Sequence, residues 1–174
     1  MNTDPKQHFV SELVRHLRDR VAETRRVEAT AAEAAEGARS DARTREDAKA
    51  ATSESRMATA HAQRRQQAED ELDTLVALVD AGLRRFTQSS AVDVGAMVDV
   101  AIEDEDTGDE EQRTLLMLPV GAGIELAGPG GDGFVSVITP RSPVGRALLG
   151  ARIGSTVAVT TPSGTREWTV LDLM

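Results

Sequence analysis

Glycine and proline are distributed unevenly along this 174-residue chain, and their distribution limits what each half can form. Residues 1–86 contain only two of the 14 Gly (Gly37 and Gly82) and one of the six Pro (Pro5). They are otherwise rich in Ala, Arg, Glu and Gln, which are strong helix formers. Residues 87–174 combine the other Gly and Pro with many Val and Thr, which is typical of short strands and tight turns. The sequence therefore predicts an α+β chain with two domains of different class.

Charge divides at the same place. Residues 1–86 hold 15 Lys+Arg and 16 Asp+Glu, whereas residues 87–174 hold 5 and 13, so nearly all of the formal net charge of −9 belongs to the second half. A protein that binds DNA directly needs a basic face to meet the phosphates. We therefore expect no direct sequence-specific DNA binding.

Several other classes of protein are excluded by composition. The chain has no Cys, so disulfides, thiolate metal sites and Cys nucleophiles are ruled out. It has no run of about 18 apolar residues that could span a membrane. Its first residues, MNTDPKQHF, lack the basic and then apolar order of a signal peptide. We expect a cytoplasmic protein without a membrane partner.

Apolar residues in the first half follow the narrow stripe of a coiled coil, with charged residues on the other faces. The first stripe contains Val10, Leu13, Leu17, Val21, Thr24, Ala31, Ala35 and Ala38, with one step missed near Glu28. The second contains Met57, His61, Ala68, Leu72, Leu75 or Val76, and Val79.

The two stripes complement each other when they are paired antiparallel. Large residues then meet large ones, as in Leu13 with Val79 and Leu17 with Leu75, and the numbers in each pair add up to 92 or 93. This predicts a monomeric hairpin with its tip near residues 44–48, about 50–60 Å long at ~1.5 Å per residue. A dimeric coiled coil of two chains in register is the alternative.

Acidic residues occur at the predicted tip. Glu46 and Asp47 are adjacent, Asp41 precedes them, and Arg39, Arg43, Arg45 and Lys49 surround them. Carboxylates on a projecting arm are hard oxygen ligands that could help to hold Mg²⁺. The alternative is a solvated turn with ordinary helix-surface charge.

The second half has the pattern of a small, mainly antiparallel sheet with one short helix. Ser142 is the predicted N-cap, Pro143 the first helical residue, and Gly150 the end of this helix. The strands are expected at 94–103, 113–118, 124–127, 134–139, 156–161 and 166–173, with an acidic loop at 103–111, a Gly-rich turn at 128–133 and a hairpin at Ser163-Gly164.

Other apparent sites lack the spacing that their chemistry needs. The acidic loop lacks the ligand spacing and central glycine of an EF-hand. Gly121-Ala122-Gly123 is not followed by the helix of a dinucleotide fingerprint. The three His have no metal-ligand spacing, and none lies in the second half to serve a Ser/His/Asp triad. We expect no enzyme activity and no cofactor of the chain's own.

The last quarter of the chain resembles the Gre transcript-cleavage factor family. The resemblance rests on VSVITPRSPVGRALLG followed by ARIGSTVAVTTPSGTREWTVLDL, which contain the family's S-P-x-x-R-A-L-x-G and G-x-x-V-x-V-x-T-P. The preceding helical hairpin is similar to the family's hairpin in design. The resemblance implies a coiled coil over 1–86, a linker at 87–93 and an FKBP-like domain over 94–174.

The resemblance also implies a partner and a mode of action. Gre-like factors dock on bacterial RNA polymerase at its secondary channel, which here would involve Ser142, Pro143 and Arg146. The coiled coil then carries tip acids to the polymerase active centre, where Glu46 and Asp47, assisted by Asp41, would help to hold Mg²⁺ for cleavage of backtracked RNA. The factor would have no nuclease activity without the polymerase. For Ser142, Pro143 and Arg146, capping the helix and covering the sheet is an equally open role.

Two further functions stay open at this point. The tip lacks the Asn and the aromatic residue of the family's usual motif, and Thr44 stands where the family has an acid. A factor that docks without stimulating cleavage, and so competes with active Gre factors, is therefore the alternative. Peptidyl-prolyl isomerase activity is a remote alternative, because residues 87–174 contain only Phe134 and Trp168 to line a proline pocket.

Overall fold

The computed structural model describes residues 5–103, 110–131, 133–161 and 164–174. Two long helices precede a six-stranded sheet and a short third helix, which confirms the α+β class. In chain order the elements are α1 (Pro5–Asp41), α2 (Arg45–Ala81), β1 (Met97–Glu103), β2 (Glu110–Met117), β3 (Glu125–Ala127), β4 (Phe134–Ile138), α3 (Pro143–Leu148), β5 (Thr156–Thr161) and β6 (Gly164–Leu173). Residues 104–109 of the acidic loop predicted at 103–111, Asp132 of the Gly-rich turn and Ser163 of the last hairpin lie outside the described residues.

The chain divides into two compact units, which differ from the predicted division by composition. One unit is Val14–Asp73, and the other combines Met1–Leu13 with Thr74–Met174. The boundaries expected from the sequence, 1–86 and 94–174, separate helix from strand. The division by compactness instead groups the first residues of α1 and the last residues of α2 with the sheet.

The helical unit is an antiparallel pair held by polar contacts between α1 and α2. Arg20 forms an ion pair with Glu71 at 3.0 Å, and Arg25 forms one with Glu69 at 2.7 Å. Further along, the Arg39 guanidinium donates to the Ser55 hydroxyl at 3.0 Å. Residues later in α1 therefore contact residues earlier in α2, so the two helices are antiparallel, which confirms the hairpin. Its buried apolar residues are Leu17, Val21, Ala35, Ala51 and Ala68.

An ion-pair network lies near Glu28, where the apolar stripe of α1 is interrupted. The Glu28 carboxylate accepts from the Arg65 guanidinium, and Arg65 also pairs with Glu69. All three side chains are only 20–27% exposed. The break in hydrophobic periodicity is therefore filled by opposite charges from the two helices.

Three sequence expectations for the helical pair were wrong. Met57 and Val79 were assigned to the buried stripe, but they are 51% and 42% exposed. Leu13, which was expected to face Val79, has Gly121, just before β3, beside its side chain. The connection is 42–44, not a turn centred near residue 46, because the helical residues of α2 begin at Arg45.

The sheet has the strand order β3-β4-β2-β1-β6-β5. Its neighbouring strands are antiparallel except β2 and β4, which are parallel, so the predicted mainly antiparallel sheet is confirmed. The core is formed by Val98, Val100, Met117, Leu148, Trp168, Val170 and their neighbours. α3 contributes Leu148 to this core, so one side of the short helix is fixed on the sheet.

The predicted linker at 87–93 is hydrogen-bonded to the rest of its unit. Val92 N–H donates to the Ala151 carbonyl at 2.8 Å, and Gly150 N–H donates to the Val92 carbonyl at 2.8 Å. Arg152 also donates to the Ser89 carbonyl. These bonds place the segment against the residues that follow α3.

Lys6 joins the start of α1 to the same unit. Its side chain is buried, and its Nζ donates to the carbonyl oxygens of Arg84 at 2.9 Å and of Gly95 at 3.4 Å. The Phe86 ring lies 5.2 Å from this ammonium, a cation–π contact. A buried ammonium is tolerated only with such partners, so Lys6 holds three segments together.

Candidate functional site

The tip of the hairpin is organised by reciprocal hydrogen bonds between Thr44 and Asp47. The Thr44 hydroxyl accepts from Asp47 N–H at 3.1 Å, and Asp47 Oδ2 accepts from Thr44 N–H at 2.8 Å. Arg43 N–H also donates to Asp47 Oδ2 at 3.1 Å. This is a capping box, which satisfies backbone N–H groups that the first turn of a helix leaves without partners. Thr44 is therefore the N-cap of α2.

The same bonds set the protonation of Asp47. The hydrogen bond with the Thr44 side chain, followed by those from the backbone of Arg43 and Thr44, lowers the pKa of Asp47 below its ordinary value. Asp47 therefore remains a carboxylate at neutral pH. Both backbone bonds go to Oδ2.

The structure places the three predicted tip acids in different settings. Glu46 and Asp47 lie in the first turn of α2, where a negative charge is favoured by the helix dipole. The Glu46 side chain is exposed, without a hydrogen bond in the described part of the chain. Asp41 is the last residue of α1, also exposed, so it lies across the connection from the other two.

Basic residues outnumber acids around this connection. Within residues 39–49 there are four cations, at 39, 43, 45 and 49, and three acids. Arg45, Lys49 and Arg56 line one open groove along α2, together with Thr52 and Ser53. No group of three or more acidic or His residues that could hold a metal ion occurs among the described residues. The tip carboxylates are suitable Mg²⁺ ligands, but a complete site would need ligands from a partner.

The second predicted site surrounds α3, where the Ser142 hydroxyl is committed to the fold. It donates to the Thr139 carbonyl at 2.8 Å and accepts from Gly145 N–H at 3.1 Å. Ser142 is thus the N-cap of α3, with Pro143 in the first turn, as the sequence predicted. Pro143 and Arg146 are exposed.

Gly145 shows how tightly this turn is built. A Cβ atom at this position would lie 1.9 Å from the Thr139 carbonyl oxygen. Only glycine allows the chain to pass this close. The sequence motif gave no reason to single out this residue, since the close approach depends on the preceding turn.

The sequence analysis did not identify two other residues with a structural role, Thr44 and Lys6. Thr44-Arg45-Glu46-Asp47 has the [ST]-x-x-[DE] pattern of a capping box, which could have located the start of α2. Lys6 had no sequence signal, because its partners are carbonyl oxygens far along the chain.

The two aromatic residues considered for a proline pocket have different positions: Trp168 is in the core and Phe134 is 66% exposed.

None of the three helices in the described part of the chain has the length and apolar character needed to cross a membrane.

Comparisons with known proteins identify the family. The family described as "Transcription elongation factor, GreA/GreB, C-term" matches residues 87–174, which is 88 of the 174 residues. No curated protein matches the chain.

Solved structures of related factors are also similar. The Gfh1 protein (GreA factor homolog 1) of Thermus thermophilus is 23% identical, with 92% of this chain and 94% of that chain covered and a TM-score of 0.36. Gfh1 of Thermus aquaticus is 19% identical, with coverages of 91% and 92% and a TM-score of 0.34. A GreA/GreB factor from Nitrosomonas europaea is 21% identical over 45% of this chain and 56% of that chain, with a TM-score of 0.28. The chain belongs to the GreA/GreB family of transcription elongation factors.

Proposed function

We propose that this chain is an accessory factor of bacterial RNA polymerase that stimulates cleavage of backtracked RNA. The sheet domain would dock on the polymerase, and the hairpin would enter the secondary channel with its tip acids at the active centre. One observation carries the proposal: the capping box holds Asp47 as an oriented carboxylate, directly beside the exposed Glu46. The nuclease chemistry would belong to the polymerase.

Glu46 and Asp47 would have related roles in this mechanism. Asp47 is oriented before binding, because its Oδ2 accepts two backbone N–H groups. Glu46 keeps a free side chain that can adjust to the polymerase. Mg²⁺ bound at the polymerase active centre would stabilise the charge that develops on the reacting oxygens. Asp41, on the other side of the connection, would assist by adding negative charge.

The test is a transcript-cleavage assay on stalled, backtracked elongation complexes, with and without the factor. We expect the factor to shorten the RNA, and Glu46→Gln and Asp47→Asn each to reduce the rate by about tenfold or more, the scale of losing one oriented group at a reacting centre. Glu33→Gln is the matched control, because Glu33 is an exposed acid of α1 away from the tip. Polymerase binding without any RNA shortening would overturn the cleavage role.

A non-cleaving channel regulator is the second candidate function. It is favoured by the four cations against three acids in residues 39–49, because excess positive charge opposes recruitment of a metal cation. Such a factor would compete with an active Gre factor for polymerase but would leave backtracked RNA intact. Competition that persists in the Glu46→Gln variant, with no RNA shortening by the unmodified chain, would support this function over the first.

A further inference from the structure

β5 forms one edge of the sheet without the features that protect such edges. The strand order places β3 at one end of the sheet and β5 at the other. β3 has only three residues and begins with Glu125, whereas the six residues of β5, TVAVTT, include no charge and no proline. Short strands, charges and proline protect sheet edges, because an unprotected edge can pair with a strand from another chain. The sheet is therefore open to further pairing on the β5 side.

The ladder between β5 and β6 determines which backbone groups of β5 face outward. Val170 N–H donates to the Ser155 carbonyl at 2.9 Å, just before β5 begins. Residues that bond to the neighbouring strand alternate along an antiparallel ladder, so Val157 and Val159 direct their backbone groups to β6. The alternate residues direct theirs away from it. We call these three residues the β5 edge: Thr156, Ala158 and Thr160.

The β5 edge is accessible to another strand. Its three side chains are exposed, and within the described ranges none of its backbone groups bonds to a residue outside the sheet. The hydroxyls of Thr156 and Thr169 lie 2.8 Å apart, and those of Thr160 and Thr165 lie 3.0 Å apart. Both threonine side chains of the edge are thus held toward β6 and away from the outer side.

We propose that the β5 edge pairs antiparallel with the β5 edge of a second copy of this chain, which joins the two six-stranded sheets across a twofold axis. In an antiparallel pair, outward-facing residues of one strand bond to outward-facing residues of the other. The register centred on Ala158 uses all three residues of each copy, because Ala158 faces its counterpart and Thr156 faces the second copy's Thr160. This inference does not depend on the proposed function.

The side chains of the two strands match in this register. On the exposed face, threonine of one copy meets threonine of the other, and each such pair extends a hydroxyl pair that exists within one copy. Cross-strand threonine pairs stabilise antiparallel strands. On the opposite face, Val157 meets the second copy's Val159, and both valines border the core. The strand is therefore self-complementary, which favours a second copy as its partner.

Charge permits this pairing although the domain is acidic. Residues 87–174 hold 5 Lys+Arg and 13 Asp+Glu, a net of −8, so two copies repel each other at long range. Glu167 lies opposite Ala158 on β6, next to the β5 edge. In the joined sheet the two copies of Glu167 are three strand spacings apart, about 14 Å, which exceeds the Debye length of about 8 Å at physiological salt. The edge itself adds no charge, and a charged partner segment would find no counter-charge on it.

The experiment measures self-association of the full chain by sedimentation velocity between about 1 μM and about 200 μM, a range that covers the affinities of small interfaces. We expect a monomer–dimer equilibrium that shifts toward the dimer as salt is raised, because salt screens the repulsion between acidic domains. Amide hydrogen exchange, measured by NMR at two concentrations in this range, should show the β5 edge protected more strongly at the higher one. The amides of Val157 and Val159 should be protected equally at both, because they bond to β6.

Substitutions of Ala158 test the pairing directly. Ala158→Pro removes the central outward N–H, which the ladder with β6 does not use, and should weaken dimerisation by about tenfold or more. Ala158→Val is the matched control: it keeps the N–H and should dimerise within about threefold of the unmodified chain. Ala158→Lys keeps the backbone but places two like charges opposite each other at the twofold axis, so it should weaken the dimer most at low salt. If thermal unfolding shows that Ala158→Pro is damaged, Ala158→Lys decides the matter.

Each outcome supports or overturns the β5 pairing. A chain that stays monomeric over the whole concentration range overturns it. A dimer that folded Ala158→Pro and Ala158→Lys both leave unchanged has its interface elsewhere, as in the coiled-coil dimer, and also overturns it. Assembly beyond the dimer contradicts a closed twofold pair. Protection of the β5 edge that does not change with concentration would show that the edge is covered within one copy.

Discussion

Thr44 and Asp47 form two reciprocal hydrogen bonds at the start of α2: the Thr44 hydroxyl accepts from Asp47 N–H, and the Asp47 carboxylate accepts from Thr44 N–H. This pair serves the fold and the proposed site at once, because the bonds that cap the helix also orient the carboxylate. A change at Thr44 therefore affects both the stability of the tip and the position of Asp47.

We expect Thr44→Ala to destabilise the first turn of α2 by about 1 kcal/mol, since the N-cap hydroxyl is lost. Hydrogen exchange of the amides at 45–49 measures this directly. Thr44→Ser keeps the hydroxyl and should exchange at nearly the unmodified rate. In the cleavage assay the alanine variant should also be slower, whereas equal rates for both variants would show that the orientation of Asp47 has no functional weight.

The structure predicts that the cap weakens in acid. The pKa of Asp47 is lower in the folded chain than its ordinary value, so its contribution to stability is complete above that ordinary value. The contribution is lost as the pH falls through the lower, folded value, because the protonated group no longer attracts the N–H groups as strongly. Carboxyl ¹³C shifts measured by NMR should give Asp47 a pKa below the ordinary value of an Asp side chain. An ordinary pKa for Asp47 would contradict the capping geometry.

Lys6→Met should destabilise the sheet-containing unit by about 2 kcal/mol. The substitution keeps the buried aliphatic volume but removes the bonds to the Arg84 and Gly95 carbonyls and the contact with Phe86. Chemical denaturation measures the loss, and hydrogen exchange should increase within 84–96. Lys49→Met is the control, because Lys49 is exposed near the tip. An unchanged free energy of unfolding in Lys6→Met would mean that the buried ammonium contributes nothing.

Gly145→Ala should lower stability by about 3 kcal/mol, because the added Cβ requires the Thr139 carbonyl to move. The turn at 139–145 and the start of α3 would shift together. Thermal unfolding tests this, with Gly150→Ala as a comparison that has open space around its Cβ but a positive φ of 83°. We expect the cost at Gly150 to be smaller, about 1 kcal/mol, since it arises from backbone conformation alone.

The stability of the hairpin should change differently when one residue of the Glu28–Arg65 pair is replaced and when both are replaced. Arg65→Ala leaves Glu28 partly buried without its partner and should cost about 1 kcal/mol or more in hairpin stability. Replacing both residues by Leu would continue the apolar stripe and should be neutral or stabilising. Thermal unfolding of the two variants checks this, and a double variant less stable than Arg65→Ala would show that the ion pair is needed for more than filling the step.

Much of the fold was predictable because it depends on local chemistry. The absence of interior proline and the spacing of Leu17 and Val21 predicted the hairpin, and Ser142-Pro143 predicted the start of α3. The tip was predicted less well. Met57 and Val79 were assigned to the seam because they continue a regular spacing, but both are largely exposed. Pairing the two stripes by residue number centred the turn near residue 46, whereas the connection is 42–44.

The sequence by itself determined where helix gives way to strand, which acids stand near the tip, and, through the capping-box pattern of Thr44 and Asp47, where α2 begins. These follow from residue type and spacing, which act over a few neighbours. Tertiary structure decided that Lys6 is buried on the distant carbonyl groups of Arg84 and Gly95, and that Glu28 meets Arg65 across the two helices. The reason is physical: hydrogen bonds and charges between residues far apart in the chain form only after folding brings them together, and no local pattern specifies those partners.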